Sequence, residues 1–151
     1  MSANITVEEM DVHNLQDANQ CHDPFIVDSK FELRSEQNII RYSVIAIPPY
    51  EKTYPPNQIE YHAHLRNPEQ CVFFAYCDGA LAGELVIRRW WNSFAYLEDI
   101  TVKTAYRRQG IGRALVNRAI AWGQEPSTAG HHAGNSEQQR RGVPILRTMR
   151  F

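Results

Sequence analysis

A chain of 151 residues has room for one compact domain, or one domain and a tail, and not for two large ones. With 16 basic against 17 acidic side chains the formal net charge is −1, which leaves no global field to hold nucleic acid. No apolar run approaches the roughly 18 residues of a membrane span, and hydrophobic residues at 43% with aromatics at 11% suffice for a packed core.

The N-terminus, Met1–Val7, lacks a basic region followed by an apolar stretch, so no secretory signal is expected and a cytoplasmic location follows. Residues 1–22 read as an N-terminal extension. Cys21, Cys71 and Cys77 have none of the short paired spacings of a zinc site, and a reducing compartment leaves them as thiols. From Asp23 to Arg41, loose alternation through Phe25, Val27, Phe31 and Leu33 suggests an opening strand and an irregular stretch. Pro48-Pro49 and Pro55-Pro56, with Tyr50 and Tyr54 between them, oppose helix and central strand and predict a rigid surface loop.

Cys71–Cys77, Asp78-Gly79 and Leu81–Trp91 form the clearest hairpin, because Asp-Gly supplies the positive φ angles of a tight turn. After Asn92-Ser93 a third strand is expected over Phe94–Val102. Strict alternation puts Tyr96, Glu98, Ile100 and Val102 on one face, and Ala95, Leu97, Asp99 and Thr101 on the other. Ile111, Leu115, Ala119 and Trp122 recur at helical steps, with Gly123 where a helix stop is expected. Strands followed by a Gly-rich turn and a helix give an α+β class.

The turn between strand and helix, Arg107-Arg108-Gln109-Gly110-Ile111-Gly112-Arg113, carries the chemistry. Glycines let an anion approach the backbone, the first helical turn offers unpaired N–H groups, and the helix dipole and three arginines add positive charge. No Lys-Ser/Thr follows the second glycine and no third glycine completes a dinucleotide fingerprint, so both of those phosphate motifs are excluded.

Arg107-x-x-Gly110-x-Gly112 resembles the pyrophosphate-binding Q/R-x-x-G-x-G/A motif of the GCN5-related N-acetyltransferase (GNAT) superfamily. With the flank Trp91-Asn92-Ser93-Phe94-Ala95-Tyr96-Leu97-Glu98-Asp99-Ile100-Thr101-Val102, the segment is similar to streptothricin (nourseothricin) acetyltransferases. The likeness runs from about Phe25 to Trp122 and is strongest after Cys71. It implies the N-terminal part of an acyl-CoA N-acyltransferase fold over residues 23–125, with a mixed sheet flanked by helices and the last strands and helix missing. It implies acetyl-CoA as cosubstrate, no metal, and a small cationic amine as acceptor. Ile100, Thr101 and Val102 would hold the acetyl and pantetheine end, and Arg107, Arg108, Gln109, Gly110, Ile111, Gly112 and Arg113 the pyrophosphate. Glu98 would be the general base, and Asp99 and Trp91 would bind the acceptor. Neither nucleic acid nor membrane is expected as a partner, and a homodimer is possible.

Residues 126–151 change character: they contain one of the 16 aromatics, Phe151, and four Arg against one Glu. Pro126–Arg141 keeps no amphipathic period and predicts a disordered polar tail. Regrouping degenerate codons for His131–Phe151 from the second base gives a sequence compatible with IMLETQNNNVAACRFYERCGF, close to the family's L-E-T-Q-x-N-N-x-x-A-C-x-F-Y-x-x-C-G-F. This places a frame change around Gly123–Pro126 and predicts a truncated, impaired copy whose Phe94–Val102 strand lacks its next neighbour. The adjacent pair His131-His132 then carries no metal meaning. Two alternatives stay open: a non-catalytic CoA-binding fragment, and a GNAT acting on another small amine or a protein N-terminus.

Overall fold

The computed structural model describes residues 2–126, so the predicted polar tail, apart from Pro126, lies outside the described residues. Among the described residues, six strands and one α-helix follow in chain order: β1 (Ile5–Glu9), β2 (Phe25–Glu36), β3 (Ile39–Lys52), β4 (Gln70–Cys77), β5 (Ala80–Arg89), β6 (Ala95–Val102) and α1 (Ile111–Gln124). The described residues divide into two compact units, one formed by those up to Cys21 together with those from Asn57, the other by His22–Pro56.

The first unit is built on a four-stranded sheet of order β1-β4-β5-β6. Every pairing in it is antiparallel, so among the described residues the expected mixed sheet is corrected to an antiparallel one, and the flanking helices are α1 and short 3-10 turns. The segment read as an N-terminal extension supplies β1, with Ile5 opposite Cys77 and Glu9 opposite Phe73. Asp78 and Gly79, both at positive φ, turn β4 into β5 as their sequence requires.

Both faces of the sheet are covered, which explains why Cys71–Ala75 and Leu85–Ile87 are continuous apolar runs rather than alternating ones. On one face Phe73, Leu85 and Ile87 pack with Ile111, Leu115 and Trp122 of α1. On the other, Val72, Phe74 and Val86 pack with Met10 and Tyr61. Gly83 fits closely on the first face, since a Cβ there would stand 3.0 Å from Ile111 Cγ2 and from the Thr101 carbonyl oxygen and would make those neighbours give way. Gly123 does not stop the helix, which runs on to Gln124. Arg89 caps its end, donating to the carbonyls of Trp122 (3.2 Å) and Glu125 (2.8 Å) while its guanidinium lies over the Trp122 ring.

The second unit is a long antiparallel ribbon, β2 with β3, where alternation had suggested one strand and an irregular stretch. Gln37 and Asn38 make its turn, both at positive φ without a glycine to announce it. Pro48 and Pro49 lie inside β3 rather than in a loop. The pairing jumps from Ser29–Ala46 to Val27–Tyr50, so the prolines occupy a bulge where no ladder N–H is required.

Candidate active site

The decisive local feature of β6 is a bulge. Val86 pairs with Asp99 and Ile87 with Leu97, leaving Glu98 as the extra residue. Strict alternation therefore fails. Ala95, Leu97, Ile100 and Val102 all pack toward the α1 cluster, while Glu98 and Asp99, expected on opposite faces, both belong to the side of the 3-10 turn Tyr61–His64.

A hydrogen-bonded network lies on that side. Glu84 of β5 is 1% exposed; its carboxylate accepts from the Tyr61 hydroxyl at 3.0 Å and from the Asn19 backbone N–H at 3.0 Å. Asn57 Nδ2 donates to the Tyr61 oxygen (2.9 Å) and to Asp99 Oδ2 (3.0 Å), and Thr101 Oγ1 reaches the same Asp99 oxygen at 3.5 Å. The Glu84 and Asp99 carboxylates come within 4.8 Å of each other. Burial first, and then the negative charge of Glu84 and Asp99, push the Tyr61 hydroxyl well above the usual phenol range, so it remains a donor. Two carboxylates so close favour a cation between or beside them.

Glu98 opens onto an adjoining cavity of about 390 Å³, shared with Glu60, His64, Gln70 and Arg88. Arg88 Nε stands 3.9 Å from Glu98 Oε2 and its guanidinium lies 4.4 Å from the Trp90 ring centre, a cation–π contact. Trp90 and Tyr96 line a second cavity with Asn92 and Phe94. Trp91, the expected acceptor contact, is 87% exposed and lines neither cavity. The sequence pattern missed Glu84, Tyr61 and Asn57; a carboxylate within the buried run of β5 was the available signal for Glu84.

Among the described residues β6 pairs with β5 alone. Lys103 N–H bonds to Ala82 O, so alternation along the ladder turns the backbone groups of Thr101 toward β5 and those of Ile100 and Val102 toward the open edge. Arg107 Nε indeed meets the Val102 carbonyl at 3.0 Å on that edge. Gly110 caps α1 at φ 92°, Arg108 also takes a positive φ of 63°, and no side chain caps the helix start. The first helical bond is Ala114 N–H to Gly110 O, so the amides of Ile111, Gly112 and Arg113 precede the intrahelical ladder. A Cβ on Gly112 would meet nothing nearer than Val102 Cγ2 at 4.0 Å, so the space over this glycine is open. With Arg107, Arg108, Gln109 and Arg113 exposed around it, the turn suits an extended diphosphate.

An antiparallel sheet whose edge strand ends in this turn, followed at once by a helix, defines an acyl-CoA acyltransferase scaffold. The chain belongs to the acetyltransferase (GNAT) family, whose model matches residues 32–139. It is 30% identical over 113 residues to streptothricin acetyltransferase A of Bacillus subtilis (strain 168), covering 74% of this chain and 65% of that protein. It is 24% identical to an Escherichia coli streptothricin acetyltransferase, of which it spans 53%. Among solved structures it is similar to a Bacillus anthracis protein described as a streptothricin acetyltransferase in complex with acetyl coenzyme A (TM-score 0.65, 30% identity, 79% of this chain and 68% of that one). It is also similar to a nourseothricin acetyltransferase (TM-score 0.61, 25% identity, 78% and 65%).

Proposed function

We propose that this chain is built to transfer the acetyl group of acetyl-CoA to an amine of a streptothricin-type antibiotic, in the cytoplasm. The observation that carries the reading is the acidic side of the sheet: Asp99 of β6 stands within 4.8 Å of Glu84 of β5, and the bulge brings Glu98 to that same face. The curated relatives carry the name of that reaction.

Acetyl-CoA, when bound, supplies the thioester carbon that the acceptor nitrogen attacks. The chain's own groups divide the remaining work. Backbone N–H and C=O groups of Ile100 and Val102 align the pantetheine arm along the strand edge, with Thr101 between them. The amides of Ile111, Gly112 and Arg113, reached over Gly110 and flanked by Arg107, Arg108 and Gln109, meet the diphosphate. Asp99, supported by Asn57 and by the nearby Glu84, draws the ammonium of the acceptor to the site. Glu98 accepts the proton that the ammonium must lose before attack, directly or through water.

The resemblance implies a tyrosine on the helix beyond the next strand as proton donor to the departing thiolate, and the tail as written, read in the shifted frame, replaces that segment. Loss of one general acid costs about 10²–10⁴ in rate, and we read this copy as impaired for that reason. The test is streptothricin-dependent release of thiol from acetyl-CoA by the 151-residue chain, beside a version whose tail follows the alternative frame. Turnover by the second and little by the first supports both the assignment and the impairment. Equal turnover removes the impairment, and no turnover by either removes the assignment.

A further inference from the structure

The β2–β3 ribbon is long, with strands of 12 and 14 residues, yet no residue from His22 to Pro56 is buried. Alternation sorts its side chains cleanly. Phe31, Leu33 and Ser35 stand opposite Val44, Tyr42 and Ile40 on one face, and Lys30, Glu32, Arg34 and Glu36 opposite Ile45, Ser43, Arg41 and Ile39 on the other. Phe31, Leu33, Ile40, Tyr42 and Val44 are each more than half exposed. A two-stranded ribbon is marginal in water; a third or fourth strand on the same apolar face changes that.

The two outer edges of the ribbon differ. That of β3 carries Pro48 and Pro49, which prevent a partner strand from pairing there. The β2 edge has no proline, and its charges alternate in sign: Asp28, Lys30, Glu32, Arg34, Glu36. Such a strand is self-complementary when it runs antiparallel to itself in a suitable register.

We propose that β2 pairs antiparallel with β2 of a second copy of this chain, about a two-fold axis through Leu33, giving a four-stranded sheet of order β3-β2-β2-β3. In this register Leu33 faces Leu33 of the second copy, Glu32 faces Arg34, Lys30 faces Glu36, and Phe31 faces Ser35. The Leu33 pair lies on the axis and occurs once, and every other contact occurs twice by symmetry. Arg34 gains most, because within the ribbon it lies opposite Arg41 and is offset by Glu32 of its own strand at 2.8 Å. The alternatives are worse. An axis through Glu32 sets Glu32 against itself and Lys30 against Arg34, an axis through Phe31 runs the pairing into the bulge at Asp28, and a one-residue slip puts apolar side chains on the charged face.

Sedimentation of the full 151-residue chain over a micromolar concentration series tests this, with cross-linking of Leu33→Cys as the geometric check. A reversible dimer is expected. Glu32→Arg and Arg34→Glu should each weaken it by about tenfold or more, since two facing pairs become like-charged in each, and the double exchange should restore it. The Leu33→Cys variant should form an intermolecular disulfide far faster than an Ile40→Cys variant, whose position is equally exposed, because directly opposed strand residues lie about 4.5–5.5 Å apart. A monomer throughout, a dimer indifferent to the charge exchange, or equal cross-linking by the two cysteine variants overturns the proposal.

Discussion

The two faces of the β1-β4-β5-β6 sheet are built from the same strands and do different work. Beneath α1 everything is apolar and closed, from Phe73 and Leu85 to Leu115 and Trp122. On the opposite face the cluster of Val72, Phe74 and Val86 gives way within one strand pair to Glu84, Tyr61, Asn57 and Asp99. The contrast teaches that one sheet can separate stability from chemistry side by side, provided that the edge strand changes face at the right residue.

The comparison can be broken most severely on the closed face. Phe73→Ala should cost about 3–5 kcal/mol, read by urea denaturation, because the ring is fully buried and stacks under Arg118. Acetyl transfer should disappear only as the folded fraction does. On the polar face the order reverses. Glu98→Gln should leave the denaturation midpoint nearly unchanged while lowering kcat by about 10²–10⁴ in whichever form of the chain turns over. A loss confined to KM would reassign Glu98 to binding.

A third experiment uses pH. Burial raises the Cys71 thiol and the Tyr61 and Tyr76 hydroxyls above their ordinary values of 9.0 and 10.0, and Asp17 adds to the rise at Tyr76. The folded chain thus keeps protons that the unfolded chain releases, so stability holds below about pH 9 and falls as pH climbs past the unfolded values. The limiting slope is about 1.4 kcal/mol per pH unit for each group. Tyr61→Phe combined with Tyr76→Phe should flatten the decline between about pH 10 and 11, measured by denaturation midpoints. The smallest effect is expected from Asn57→Ala, which removes one donor to Asp99 and should raise the acceptor KM several-fold, with about 1 kcal/mol lost from stability.

Much of this was legible in the residues. Asp78-Gly79 announced its hairpin, the helical recurrence from Ile111 announced α1, and the glycines of 107–113 announced the turn that leads into it. What escaped was geometry that leaves no compositional trace. A bulge is one residue of extra chain, and nothing in Leu97-Glu98-Asp99 distinguishes it from regular strand. The Gln37-Asn38 turn adopts positive φ without glycine, so the second half of the ribbon looked irregular. The paired prolines suggested a loop because their tolerance depends on a bulge that only the partner strand defines. Tyr61 and Asn57 sit in and before a 3-10 turn too short for any periodicity.

The bulge at Glu98 also has a meaning for variation in this chain. Loss of that one codon would restore strict alternation to β6 while Asp99 stays opposite Val86 and Leu97 opposite Ile87, so every other side chain would keep its face. At this position the loss of a single residue would withdraw the proposed base from its cavity and leave the ladder on either side in register.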